Sequence, residues 1–458
     1  MTPLLTRRRV LTAGVAATFV PLLRTRAASQ GDGFRTLTAR PGHARLRGAD
    51  TEATAIWGYD GTVPGPTLRL KRGEELKVRL VNGLAQPTAV HWHGLRIDNR
   101  MDGAAGLTQD PIAPGASFDY RFTVPDAGTF WYHPHAHTSE QRGRGLAGLL
   151  IVDEPEPVEV DHDVALFLDD WRLDASGQSA PFGGMHDAAH AGRYGNHLTA
   201  NGLPRADIPV GTNARLRLRL VNAANARIMP VRVADHAATV MSLDGQPAEP
   251  FALERARIVL SPGNRADLFI DLTLAPGASA PILVDTGRAE VEVARLVYGT
   301  EPGRTMPRPP ARALPPNPLP ERMDFVRAER IEAALEGGAM SPLMMRGMAH
   351  GKFWALAGAM SDDHSAPPLF SVKRGRTVVI AFPNRTRFPH GMHLHGHHFR
   401  LLDALDDGWK AYWLDTVLVP PERTQRIAFV ADNPGKWMIH CHMLEHQETG
   451  MAAWFEVT

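Results

Sequence analysis

A single cysteine, Cys441, stands among 458 residues, so no intrachain disulfide can form. Long runs of one charge are missing as well. Lys and Arg number 50 against 49 Asp and Glu, which offers neither a nucleic-acid groove nor a polybasic membrane patch and makes small or neutral partners the default. Long amphipathic heptads are also absent. With 37 Pro and 42 Gly, the chain reads instead as many short strands joined by turns, an all-β fold. Its length exceeds what one hydrophobic core organises, and three domains of ordinary size fit best.

A twin arginine, Arg7 and Arg8, precedes an apolar stretch from Val10 to Leu23 and small residues at Ala27 and Ala28, the pattern of a twin-arginine export signal. The stretch is too short and too rich in Ala, Gly and Thr for a membrane span, which takes about 20 strongly apolar residues. Residues 1–28 are therefore set apart as a leader. An exported, periplasmic protein is expected, with no membrane span once the leader is removed, and a monomer is favoured. This route carries folded proteins, which suits a chain that acquires a cofactor before crossing. In an oxidising compartment Cys441 then needs a protection other than a disulfide, and metal ligation supplies one.

Three stretches share one pattern of β-type run, Gly turn and alternating strand ending in Asn: "GPTLRLKRGEELKVRLVNG" (65–83), "ADIPVGTNARLRLRLVNA" (206–223) and "PLFSVKRGRTVVIAFPNR" (368–385). A triplicated β-sandwich is expected, with domains over 29–155, 156–310 and 311–458. The Pro-rich run 301–321 cannot pair as a central strand and reads as the linker into the third. A second repeat joins "DAGTFWYHPH" (126–135) to "NPGKWMIHCH" (433–442). The middle domain offers "SPGNRADLFIDL" (261–272) as the corresponding place, without histidine, so domains one and three are expected to carry the chemistry.

Four His-x-His pairs stand out: His91 and His93, His133 and His135, His393 and His395, His440 and His442. Residues i and i+2 of a strand point to one face, so each pair presents two imidazoles together, and packing domain one on domain three would assemble one interdomain metal site. Imidazole suits Cu, Zn, Fe and Ni alike. The cysteine narrows the choice. Cys441 points opposite to His440 and His442 and needs a separate site. His390, Cys441 and His446 with Met451 as a weak axial partner make the two-histidine, one-cysteine set of a blue-copper centre, joined through the backbone to the histidine cluster.

Taken in order, "HWHG", "HPH", "HGMHLHG" and "HCHMLEHQETGM" resemble the motifs of the multicopper oxidases, the family of laccases, ascorbate oxidases and bacterial cuprous oxidases, over about residues 40–458. The resemblance implies three cupredoxin-like Greek-key β-sandwiches and four copper ions. A donor would be oxidised one electron at a time at type 1 copper, and O2 reduced to two waters at a trinuclear centre. It makes His390, Cys441, His446 and Met451 the type 1 ligands, and His91 and His393 the type 2 ligands. The type 3 pair falls to His93, His133, His135, His395, His440 and His442. Met451, rather than Leu or Phe, implies a modest potential.

Asp102 stands where related bacterial enzymes carry an acid close to the trinuclear site and is assigned proton delivery; the alternative is a turn-forming Asp before Gly103. Those enzymes often place Glu directly after the second type 1 histidine, where this chain has Gln447. Glu445, Glu448 or a water chain is then left to substitute.

The donor is less defined. Met340, Met344, Met345 and Met348 with His350 form a modest version of the methionine-rich insert that cuprous oxidases carry, or alternatively an adaptable apolar segment. The segment 182–197, with Met185, His186, His190 and His197, reads as a loop near the substrate face or, as such Gly- and His-containing loops more often are, as a solvated one. Arg385 and Arg387 favour a phenolate or other anionic donor, so a laccase-like enzyme acting on phenols or aromatic amines is expected, with cuprous oxidation as the competitor. A metal-free envelope protein predicts broken ligand motifs, and none is broken. A copper carrier needs no complete trinuclear set, and a two-domain nitrite reductase lacks the four His-x-His pairs.

Overall fold

Alternation builds the sheets. In the strand Glu75–Asn82 the side chains of Leu76, Val78, Leu80 and Asn82 are buried while those between them are exposed or half-buried. This strand runs parallel to Arg35–Ala44 and antiparallel to Ser117–Thr123. The same arrangement recurs twice. Arg215–Asn222 lies parallel to His162–Trp171 and antiparallel to Arg265–Asp271, and Thr377–Pro383 parallel to Glu329–Glu332 and antiparallel to Thr424–Val430. The computed structural model describes residues 33–301, 303–361, 366–403 and 406–458. The expected leader, residues 1–28, lies outside them.

The Asn that ends each repeat explains why this residue recurs. The Asn82 amide donates to the carbonyls of Gln86 (3.0 Å) and Ile112 (2.8 Å) and accepts the Leu84 N–H (2.9 Å). Asn222 donates to Arg227 and Leu260 (2.8 and 2.9 Å) and accepts from Ala224 (3.1 Å). Asn384 donates to Phe388 and Val419 (2.7 and 3.2 Å) and accepts from Thr386 (2.9 Å). Each is a buried clamp that closes the strand exit by satisfying backbone groups that no ladder reaches.

A second sheet covers each of these. In the first sandwich its order is Gly65–Lys71, Gly148–Asp153, Gly128–Pro134, Val90–His93; in the third it is Ser371–Val372, Ala452–Val457, Gly435–Cys441, His390–Leu394, Thr416–Val419. The middle sandwich pairs a six-stranded with a five-stranded sheet, and a separate apolar core fills each of the three. One expected equivalence fails. Residues 261–272 pair with Arg215–Asn222, the place held by Ser117–Thr123 in the first domain, whereas Ser279–Asp285 takes the central position that the His-x-His strands occupy elsewhere. A Pro-Gly turn is common to both places, and "APGASFDYRF" (113–122) is the structural counterpart of 261–272 in the first domain.

Among the described residues of 301–321 there is no strand, as proline content requires, but the run is tied down. Asn317 exchanges hydrogen bonds with the Ala127 backbone (2.8 and 2.9 Å) and donates to Gln246 (2.8 Å), while Arg96 donates to the Pro318 carbonyl (3.2 Å). It straps domain one to domain two. Among the described residues no helix is long and apolar enough to cross a membrane.

Candidate metal centres

Strand parity separates two sites on one sheet. His393 pairs with His440 and Met392 with Cys441, so the histidines share one face while Met392, Cys441 and, two residues before Met392, His390 share the other. The first domain pairs His91 with His133 in the same way, and between its histidines Trp92 turns into the core against Tyr120 and Phe122.

The eight His-x-His imidazoles are all buried and fall into three groups. His91 and His393 approach through Nε2 (3.5 Å). Their Nδ1–H groups donate elsewhere, His91 to the Asp102 carbonyl and His393 to the Asp415 carbonyl, both at 2.9 Å. His135, His395 and His440 converge at Nε2, with separations from His440 of 3.4 Å to His135 and 3.0 Å to His395. Here too the far nitrogens are committed, His395 to the Asp102 carboxylate (2.8 Å) and His440 to the Cys441 carbonyl (3.0 Å). His93, His133 and His442 form the third group, with His93 Nδ1 3.4 Å from His133 Nε2 and the His442 ring 5.0 and 5.3 Å from the other two.

The donor set fits a cluster of cations. Nε2 atoms whose Nδ1 partners already donate carry lone pairs, and such atoms 3.0 Å apart repel unless a cation lies among them. Both ring nitrogens of buried His442 lack a hydrogen-bond partner, a costly state in a protein interior that ligation relieves. Burial, and then the neighbouring imidazoles, hold His133, His395 and His440 well below the ordinary histidine range, in the neutral form that ligates.

On the opposite face His390 Nδ1 lies 3.1 Å from His446 Nδ1, and Cys441 Sγ lies 3.6 and 3.7 Å from the two. The outer nitrogens are again occupied: His390 Nε2 by Thr386 Oγ1 (2.9 Å) and His446 Nε2–H by the His190 carbonyl (2.6 Å). Burial pushes the Cys441 thiol up to about 12, so a thiolate here requires a cation. Two imidazole nitrogens and a sulfur converging in this way suit copper. Met451 is buried in the same apolar cluster and joins Cys441 through its backbone, its carbonyl accepting the Cys441 N–H (3.0 Å).

Around these histidines lie charged groups that no sequence motif marks. Buried Asp415 accepts His93 Nε2–H (3.2 Å) and a bidentate pair from Arg265 (2.9 and 2.7 Å); Arg265 belongs to domain two, as does Asp244, which accepts the Asp415 and Thr416 N–H groups (3.1 and 3.2 Å). Burial alone would raise the Asp415 carboxyl, yet Arg265 and His93 hold it well below its ordinary value. Gly263, also in domain two, has φ +90° and leaves room for the rings of His442 and His93. Domain two, which carries none of the His-x-His pairs, therefore helps to hold them. Trp354 lies over the Cys441 site, its ring 4.0 Å from that of His446 and edge-on to His390 at 5.1 Å.

Asp102 is buried and touches two histidines of different groups, His395 through Oδ2 and His91 through both its carbonyl and Oδ1. It is also the turn residue of the alternative reading: Gly103 has φ +83° and a side chain there would strike the Val90 carbonyl. Gln447 is buried with Oε1 unpartnered. Glu445 accepts from Asn225 and the Arg193 N–H (both 3.0 Å) and Glu448 from the Ser139 N–H (2.9 Å), so both acids face the domain junction beside His446.

A cavity of ≈ 290 Å³ opens at that junction, lined in part by Phe182, Met185, Asp187, Met348, Phe353 and Glu445. Of the four candidate methionines of 337–353 only Met348 reaches it; Met344 packs on the core, and Met340 and Met345 are exposed. In the 182–197 segment Met185 lines the cavity and His190 contacts His446, whereas His197 is tied to the Leu46 carbonyl (2.6 Å). Arg385, expected to attract an anionic donor, is paired with Glu332 and Glu336 (2.8 and 2.9 Å).

Family models described as multicopper oxidase match residues 42–157, 162–278 and 340–458, and the chain belongs to the multicopper oxidase family, copper-dependent oxidoreductases with O2 as acceptor. Multicopper oxidase MmcO of Mycobacterium tuberculosis is 32% identical over 452 residues, covering 91% of this chain and 85% of that one. The multi-copper oxidase of Pseudomonas thermotolerans superposes with TM-score 0.82 at 34% identity, covering 93% of this chain and 98% of the other. Lac15 from a marine microbial metagenome gives 0.76 at 36% identity, covering 93% and 100%.

Proposed function

We propose that this chain couples one-electron oxidation of a small donor at one copper to four-electron reduction of O2 at three more. The first site is held by His390, Cys441, His446 and Met451 (type 1). The others are held by His91 and His393 (type 2), and by His93, His133 and His442 with His135, His395 and His440 (type 3). The observation that carries this reading is the shared strand: Cys441 lies in one site while His440 and His442 lie in the other. Bound copper supplies the redox chemistry, four electrons and four protons converting O2 into two waters. The protein's part is to connect and position. Besides the covalent path, the His440 Nδ1–H donates back to the Cys441 carbonyl, shortening the route between the sites. Asp102 orients His91 and His395 and is the group assigned to proton delivery.

The donor enters at the cavity beside His446. Phe182 and Phe353 offer rings to a phenol or aromatic amine, the laccase-like reading, which the neutralised Arg385 no longer supports but the aromatic lining does. A second reading, Cu(I) as substrate, is favoured by the thioethers of Met185 and Met348 beside the carboxylates of Asp187, Glu445 and Glu448 in the same cavity. Steady-state oxygen uptake by copper-loaded protein separates them. Turnover of dimethoxyphenol without added Cu(II), unaffected by Met185→Leu and Met348→Leu, is the laccase result. Fast Cu(I) oxidation that these variants slow, with phenol turnover only on added Cu(II), is the cuprous-oxidase result. No uptake with either contradicts both.

Export by the twin-arginine route to the periplasm, and function as a monomer, complete the proposal. Replacing Arg7 and Arg8 by Lys is expected to retain the protein in the cytoplasm.

A further inference from the structure

The motif names Met451 as the sulfur partner of the copper site, but a different thioether lies against the thiol. Met443, two residues after the cysteine and almost fully buried, places Sδ 3.6 Å from Cys441 Sγ. The Gly391 N–H, from the strand that carries His390, donates to that Sδ (3.1 Å) and holds it there. The backbone of Met443 is pinned at both ends. Its N–H donates to Cys441 Sγ (3.4 Å), and its carbonyl accepts from His446 (2.9 Å) and Gln447 (3.1 Å), opening the short helix Leu444–Glu448 that presents His446. A methionine that only filled space in this apolar cluster would need neither the N–H···S bond nor the sulfur contact; Leu would serve.

We infer that Met443 supplies a second thioether to the copper site of His390, Cys441 and His446, setting its reduction potential together with Met451. The inference rests on the type 1 site proposed above. The physical basis is that a lone-pair donor stabilises the more highly charged Cu(II) over Cu(I), a hard amide oxygen more so than a soft thioether, and groups about the cysteine sulfur tune the couple further.

The test is a redox titration of the blue centre, with EPR copper hyperfine couplings, in copper-loaded full-length protein. Wild type is compared with Met443→Leu, Met443→Gln and Met451→Leu. Met443→Leu should raise the midpoint potential and Met443→Gln lower it, each with altered hyperfine coupling. Adding Met451→Leu to Met443→Leu should raise the potential further. A packing role moves both Met443 variants the same way or neither, and that result overturns the inference, as does a shift confined to Met451→Leu. If Met443→Gln loses copper, Met443→Leu at wild-type copper content decides: an unchanged potential overturns the inference. Absence of any blue centre in wild type is a different outcome, and overturns the type 1 reading itself.

Discussion

Asp415→Asn isolates the part of the account that the ligand motifs do not contain. The amide is nearly isosteric and keeps the backbone carbonyl that accepts from His393, but it removes the charge that Arg265 grips at 2.7 Å and that His93 meets at 3.2 Å. Breaking a fully buried ion pair by neutralising one partner costs about 3–5 kcal/mol, because the other charge is left without its counter-ion. Arg265 keeps Asp244 at 3.6 Å and donates to the carbonyls of Thr129 (3.1 Å) and Gly263 (3.0 Å), which places the loss at the low end. At roughly 2–4 °C per kcal/mol for folding units of 150–250 residues, about 3 kcal/mol lowers the midpoint of the metal-free protein by roughly 6–12 °C. Outer-shell changes also cost about 10–100-fold in metal affinity or activity, and here the cost should fall on the histidine cluster, which Asp415 touches, and spare the Cys441 site. Scanning calorimetry with copper analysis and the visible spectrum reads all three. An unchanged midpoint with full copper content would refute the assignment of Asp415 and Arg265 as the cluster's buttress.

Three further outcomes follow from other parts of the structure. Asn222→Ala strips three buried backbone groups of their partner and should destabilise metal-free protein by about 3 kcal/mol in denaturant titration, against near neutrality for a surface Asn→Ala control. Asp163, though burial raises it, is held down to about 2 by Arg219, with Arg217 and Arg69 adding to the effect, so its stabilisation is complete above the unfolded value near 4 and is lost as pH falls toward 2. Asp163→Asn should flatten the pH–stability curve there by about 2 kcal/mol, and an identical curve would contradict the ion-pair account. Gly263→Ala puts a methyl 3.0 Å from the His442 ring and 3.1 Å from His93 at φ +90°, so copper should be lost from the histidine cluster while the blue absorption survives; full occupancy would show that the rings give way.

Those features that lie along a strand were legible before the structure. Period-two alternation marked Glu75–Asn82 and its two repeats, and His-x-His spacing placed imidazoles on one face with Cys441 on the other. What crosses between strands was not. Asp415 and Arg265 are 150 residues apart and meet only because domains two and three pack, and nothing in "WLDTVL" marks its aspartate as buried. The 261–272 segment has a double because, in the middle domain, Pro-Gly turns open both Arg265–Asp271 and Ser279–Asp285. Met443 carries no such mark, since Met451 stands at the spacing the motif expects; only the fold of the loop brings the Met443 sulfur onto the thiol. The proline run read as a linker for want of strands, while its role as a strap depends on Asn317 finding Ala127 and Gln246.

In the proposed enzyme one strand joins a cysteine-bound copper to a histidine-bound cluster, so Cys441→Ser is the direct test, read by copper stoichiometry and the visible and EPR spectra alongside oxygen uptake. Four coppers are expected in the wild type and three in the variant, with the blue absorption and turnover lost together and the signals of the histidine cluster retained. Full turnover in the variant, or a wild type whose copper never binds sulfur, would contradict it.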